Sequence, residues 1–272
     1  MEGEAVMMKA IILTEYGDES KLNVSFSAPQ PRPLPGHVVL RVRACALSCH
    51  SDLPAREGHF DALLGLLPSS SSSSSTSAPP LGPSHSQSQA LSQARLARWA
   101  VLGYEVSGEV FSCGEGVTAA DCVVGDEFVG LCEMGPMGGL AEYVMLPLCS
   151  IVRKPTALSH PQAAACLLPA VVGYSALHYR IHAARGDTVM VMNGADETGH
   201  LVLQLAAATM GLRVITTASS DQQLNYLQDG RAHGSLVRIV DLRSEALVEA
   251  VLAETGGRGV DGIVDVLPRL PL

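Results

Sequence analysis

Concentrated positive charge is what this sequence most plainly lacks. Its 272 residues hold 18 lysines and arginines against 27 acids, a formal net charge of −9, with no Lys/Arg block anywhere. Nucleic acid and anionic membrane both reward clustered cations, so neither is expected as a partner. Long apolar runs are missing too. The longest, Ala163–Val172, contains Pro169 and falls far short of the roughly 20 residues that span a bilayer. The start, Met1-Glu2-Gly3-Glu4, is acidic and leads into no apolar core of the signal-peptide kind, which reads against secretion. No C-x-x-C pair occurs among the seven cysteines (45, 49, 113, 122, 132, 149 and 166), so reduced thiols in a cytoplasmic protein are expected.

What is present is apolar content. At 47% hydrophobic and 17% charged residues the chain is no extended disordered polymer, and its length suits two domains. Lys9–Leu13, His37–Ala46, Val106–Phe111, Glu127–Leu131 and Leu140–Leu146 read as short strands separated by glycine-bearing turns. The proline-rich stretch Pro29–Gly36 cannot join a central sheet. Together these predict a small barrel or sandwich over about the first 150 residues. The unbroken serine run Ser69–Ser75 and the polar Ser/Gln/Pro segment after it bury too little to offset chain entropy. Residues 61–98 are therefore expected to form a disordered surface insertion, with at most a helical turn at Leu91–Trp99.

The period changes in the second half. A helical segment over Pro161–Ala184 leads to the strand Val189–Met192, a glycine turn and a helix, Leu201–Met210. The strand Arg213–Thr217, a helix at Gln222–Gln228, a strand at Val237–Val240, a helix at Glu245–Thr255 and a strand at Val260–Val266 follow. Four such alternations predict a parallel sheet wrapped by helices.

The turn Asn193-Gly194-Ala195-Asp196-Glu197-Thr198-Gly199 lies between strand and helix, where backbone N–H groups and a positive helix end can meet a pyrophosphate. Gly194 and Gly199 occupy the first and last glycine positions of a dinucleotide turn, and Ala195 lies between them. The middle glycine is missing, and Asp196 and Glu197 stand in the turn. A carboxylate about 4 Å from a phosphate is opposed by roughly 1–4 kcal/mol. Two readings stand: a cofactor turn weakened by charge, or a turn that only caps a helix. After the second strand come Ser219 and Ser220 in place of the acid that holds a ribose in NAD binders, which favours NADP. Ser220 serves equally well as a helix cap.

Taken in order, Lys9-Ala10-Ile11, Leu102–Val110, Val123–Glu127, Gly138–Tyr143 and the phosphate turn resemble the medium-chain dehydrogenase/reductase superfamily. Within it the chain is most similar to the zinc-free, zeta-crystallin-like quinone oxidoreductases, over residues 8–266 apart from the insertion. The resemblance implies an α/β fold: a GroES-like β-barrel-type domain over 7–155, then an incomplete Rossmann (doubly wound parallel sheet) domain over 156–266 and a non-family tail, 267–272.

Zinc members of the family use a Cys, a His-Glu pair and a later Cys. Here Cys49 matches the first, but Tyr104 stands in place of the His and Leu168 falls near the last, so no zinc is expected. Asp52, Arg56 and Gly58 match the D-x-x-x-R-x-G pattern of the zinc-free branch, making Asp52 and Arg56 substrate-cleft candidates. Pro54 replaces the tyrosine expected two positions after the acid, and an i,i+4 ion pair accounts for Asp52 and Arg56 equally well. Tyr174, at the start of the helix that carries His178 and His182, matches the nicotinamide side, and core packing with its hydroxyl satisfied accounts for it equally well. His178 and His182, four apart, are read as a polar helix edge without a third ligand. The implied activity is hydride transfer from NADP(H) to a quinone or enone, with no general acid named. The alternative is a catalytically silent relative serving as a binding or scaffold module. The family's nucleotide domain has six strands and this sequence carries four candidates. Its last strand is thus expected at a sheet edge, where it could pair in a homodimer.

Overall fold

A computed structural model describes residues 6–49, 51–59, 100–133, 137–229 and 236–266. The expected insertion (61–98), the turn at Leu91–Trp99 and the tail (267–272) lie outside the described residues. The chain divides into two units, Met1–Leu167 and Leu168–Leu272.

In the first unit the strands are β1 (Met7–Leu13), β2 (Leu22–Pro29), β3 (His37–Ala46), β4 (Ala100–Val101), β5 (Glu105–Cys113), β6 (Glu127–Leu131), β7 (Tyr143–Pro147) and β8 (Ile151–Arg153), with a short helix α1 (Asp52–Arg56) after β3. An antiparallel sheet of order β7-β3-β5-β6-β8 and a smaller one of order β2-β1-β4 carry this unit. Register shifts at Val39/Leu40 and Val42/Ala44 of β3 add the local twist that curls the larger sheet. Its inward residues, Val38, Leu40, Val106, Val110, Phe128, Val144 and Leu146, form one core with Leu13 and Leu102. β2 was not among the predicted strands. Nearly every residue in it is exposed or half-buried, Phe26 included at 72%, so it carries no two-residue apolar alternation. It lies at a sheet edge and ends on Pro29, as a proline requires. The strand predicted from Leu140 begins only at Tyr143, Ala141 making an isolated bridge to Ala10.

The helix α2 (His160–Tyr174) passes into a π-helical turn, Ser175–Arg180, and runs from the first unit's residues into the second's. In the second unit follow β9 (Thr188–Met192), α3 (Glu197–Gln204) with a π-helical turn Leu205–Thr209, β10 (Arg213–Ala218), α4 (Asp221–Gln228), β11 (Leu236–Asp241), α5 (Leu247–Glu254) and β12 (Gly262–Asp265). All are parallel, in the order β11-β10-β9-β12. That is third-second-first-fourth by chain position, the arrangement of one half of a dinucleotide-binding sheet with its neighbouring strand. Alternation along the strands sends Val189, Val191 and Val214 to one face, against Val202, Leu203 and Ala206 of the α3 segment and Leu227 of α4. Met190, Ile215 and Val240 face the other side, against Leu247 and Val251 of α5. Burial on both faces explains why β9 and β10 read as continuous apolar runs.

Candidate functional site

The turn between β9 and α3 sits at the carboxyl end of a central strand, the place where ligands dock on such sheets. Asn193 enters it with φ +55°, a left-handed conformation that asparagine tolerates better than most residues. The Asn193 N–H donates to Thr217 Oγ1 at 2.9 Å and the Gly194 N–H to Thr216 Oγ1 at 3.1 Å, while Thr216 Oγ1 donates to the Val191 carbonyl at 2.8 Å. Two threonines of β10 thus fix the start of the turn. A Cβ at Gly194 would lie 2.2 Å from Thr216 Oγ1, and one at Gly199 would lie 2.4 Å from the Asn193 carbonyl oxygen. Both glycines are required by close packing of strand, turn and helix.

Asp196 is the N-cap of α3, with extended backbone (φ −76°, ψ 164°), and Glu197 is the first helical residue. Acids there favour the helix through its dipole, and they stand where the first-turn N–H groups of α3 would meet an anion. Gly194 and Gly199 thus meet the close-approach needs of a dinucleotide turn at its two ends, while its middle glycine is absent and two acids stand between them.

The second turn of the site follows β10. Ser220 caps α4, its Oγ accepting from the Gln223 N–H at 3.2 Å. Ser219 donates from both its N–H (2.7 Å) and its hydroxyl (2.9 Å) to Gln223 Oε1. Gln223 Nε2 in turn donates to Asn193 Oδ1 at 2.9 Å. One glutamine side chain thereby ties the β9–α3 turn to the β10–α4 turn. Behind it, His200 Nδ1 and the Tyr226 hydroxyl are 2.8 Å apart, and burial lowers the His200 pKa. Neither Asn193, the two threonines nor Gln223 was singled out from sequence. Asparagine at the mouth of a glycine turn was the available signal, whereas Gln223 looks like an ordinary polar helix residue.

Tyr174 is the last residue of α2 and the N-cap of the π-helical turn that carries His178, as expected at the start of that segment, and it is 45% exposed. Its ring stacks on His178 at 5.0 Å and meets Tyr179 edge-on at 5.8 Å. The helical segment predicted to Ala184 ends with the π-helical turn at Arg180, and His182 lies beyond it with φ +56°. His178 and His182 consequently share no helix face.

In the first unit Asp52 is buried, and its carboxylate accepts from the Gly103 N–H at 2.8 Å and the Ser48 N–H at 3.0 Å. It clamps α1 to the strand-connecting segment at Leu102–Tyr104. Arg56 reaches Glu57 at 3.2 Å, and its buried Nε finds no hydrogen-bond partner among the described residues. The Tyr104 hydroxyl is likewise buried without a partner there. Burial and then Asp52 push the Tyr104 phenol well above its usual range and the Cys45 thiol up to about 12. Tyr104, which stands where zinc members of the family have a histidine, offers a buried phenol, a poor zinc ligand. The one group of donors within metal-binding distance among the described residues is Glu109, Glu127 and His160, whose ligand atoms lie within 4.8 Å of one another. Its carboxylates already hold Arg43 (2.9 Å) and Lys154 (3.1 Å), and His160 bonds Ser107 (2.8 Å) and Glu127 (3.2 Å), as a structural ion-pair network would.

No family model matches the chain. Mouse quinone oxidoreductase-like protein 1 is 32% identical over 191 residues, covering 69% of this chain and 53% of that protein. A solved mycobacterial quinone oxidoreductase is 28% identical with a TM-score of 0.70, over 94% of this chain and 66% of that one. A mycobacterial structure solved in complex with NADPH is also 28% identical, with a TM-score of 0.68 and the same two coverages, 94% and 66%. The chain spans about half the length of the curated relatives it matches.

Proposed function

Because the chain belongs to the quinone oxidoreductase branch of the medium-chain dehydrogenase/reductase superfamily, we propose that it binds NADP(H) at the β9–α3 turn and serves a zinc-independent reduction of a quinone or enone. The observation that carries this reading is the turn itself: Gly194 and Gly199 packed between a central parallel strand and α3, in a sheet of Rossmann order. The NADPH-bound relative of the same fold supports the choice of cofactor.

On this reading Gly194, Ala195 and Gly199 shape the pyrophosphate seat, Ser219 and Ser220 face the ribose, and Tyr174 flanks the nicotinamide. The bound cofactor supplies the hydride, and the protein orients it and excludes water. Asp52 acts through the clamp it makes on Gly103, and Arg56 borders the cleft. The catalytic part is assigned to residues 7–155 and the nucleotide part to 156–266. The proposed setting is cytoplasmic, with a small-molecule substrate, no nucleic acid or membrane partner, and a homodimer as the assembled form. Among the described residues no helix is long and apolar enough to cross a membrane.

A second reading is favoured by Asp196 and Glu197: a relative that keeps the fold as a binding module and has lost the reaction. Fluorescence titration of the purified chain with NADPH and NADH, followed by quinone-dependent NADPH oxidation, separates the two. Tighter binding of NADPH than NADH with turnover supports the reductase. Absence of binding to either nucleotide overturns it, and binding without turnover supports the module.

A further inference from the structure

Cys113 and Cys122 are nine residues apart in sequence, and their Sγ atoms lie 3.8 Å from each other. That is sulfur–sulfur contact, within about 2 Å of the covalent distance. The segment between them is held by its own hydrogen bonds. Cys113 closes β5 in register with Val38, and the next N–H, Gly114, donates to the His37 carbonyl at 2.8 Å. The Thr118 N–H and hydroxyl both donate to Asp121 Oδ2, at 2.9 and 2.8 Å, and the Cys122 N–H donates to the Thr118 carbonyl at 3.2 Å. Past the second cysteine, the Gly125 N–H returns to the Val110 carbonyl of β5 at 2.9 Å. Both ends of the loop are thus anchored on one strand, and the contact of the sulfurs belongs to the fold.

The two thiols differ in access. Cys122 is buried at 3% exposure, while Cys113 is half-buried. Burial and then the neighbouring Cys113 sulfur raise the Cys122 pKa, so Cys122 is a poor first nucleophile. We propose that Cys113 and Cys122 form a reversible modification site, a peroxide-driven intramolecular disulfide that staples the β5–β6 loop. The Cys113 thiolate attacks one oxygen of a hydroperoxide, the O–O bond breaks, and Cys113 becomes a sulfenic acid as one water (or alcohol) leaves. The Cys122 sulfur then attacks the Cys113 sulfur, the S–O bond breaks and a second water departs. In sum, two thiols lose two electrons and two protons, and one peroxide is reduced. This site is independent of the nucleotide-binding reading.

Sequence makes the test direct, because Glu115 is the one glutamate between the two cysteines. The folded full chain is oxidised with hydrogen peroxide at an equimolar level, alkylated, and cut after glutamate. The expected product is Val110–Glu115 joined to Gly116–Glu127 by one disulfide, abolished by dithiothreitol. Contact in the fold should make this pair at least about tenfold more abundant than any other cysteine pair, a preference lost when oxidation is done in denaturant. Cys113→Ser should abolish the linked pair and leave Cys122 alkylatable after unfolding. The proposal is overturned if the two peptides stay unlinked in the folded chain, or if either cysteine pairs preferentially with Cys49 or Cys149. It is overturned equally if the same linkage ratio arises in denaturant.

Discussion

Asp52 and the Asp196–Glu197 pair are acids in family-like segments, yet the fold uses them in opposite ways. Asp52 is consumed by the fold: its carboxylate is the buried acceptor for the Gly103 and Ser48 amides. Asp52→Ala would leave both donors buried without it, and should cost about 2–3 kcal/mol in urea unfolding. Asp52→Asn keeps one oxygen and should cost less. A loss within experimental error for the alanine variant would mean that water replaces the carboxylate. Asp196 and Glu197, by contrast, sit at the cap and first turn of α3, at the proposed pyrophosphate seat. Replacing them with Ser-Gly should tighten NADPH binding at least tenfold, about 1.4 kcal/mol. If repulsion is the cause, the gain shrinks at high salt, and if the backbone freedom of glycine is the cause, it persists. Unchanged affinity in fluorescence titration would show that this turn is not the limiting defect.

Among the elements, the end of β11 is tied to the start of α4 through Arg243. Its guanidinium holds Asp241 at 2.8 Å and Asp221 at 2.8 Å, and it is the main reason that the Asp241 carboxyl is kept at about 2. A carboxyl held below its ordinary value of 3.8 contributes stability above that value and loses it as pH falls. Melting temperature should therefore decline between pH 4 and pH 2 in the parent chain, and Arg243→Gln should flatten that part of the profile. Parallel profiles for the two chains would show that the pair contributes nothing measurable, as many exposed pairs do not. Element ends were the least legible feature of the sequence. The π-helical turns at Ser175–Arg180 and Leu205–Thr209 leave no mark on apolar spacing, and the end of the first at Arg180 leaves His182 outside the helix that holds His178.

At the scale of the molecule, each unit has a core of its own, and the serine-rich segment belongs by composition to neither. Its flanks are anchored: Ala100 and Val101 pair with Leu13 and Ile12 of β1, and the Arg56 carbonyl accepts from the Gly17 N–H at 3.0 Å. Deleting residues 65–97 should thus leave a single cooperative unfolding transition near the parent temperature, because few apolar groups are lost. Loss of cooperativity in calorimetry would make the segment part of the core.

The sequence alone determined whatever is written in local patterns. These include the continuous apolar runs of β9 and β10, the glycines between strand and helix, and four strand–helix alternations whose periods of 2 and 3.6 residues follow from backbone geometry. The tertiary structure decided everything that joins distant positions. It set the strand order β11-β10-β9-β12, the grip of Asp52 on Gly103 across 51 residues, and the reach of Gln223 to Asn193 across 30. It also set Cys113 and Cys122 in contact through the path of one loop. Such contacts depend on how loops close and sheets pack, and one chain's local periodicity carries no trace of either.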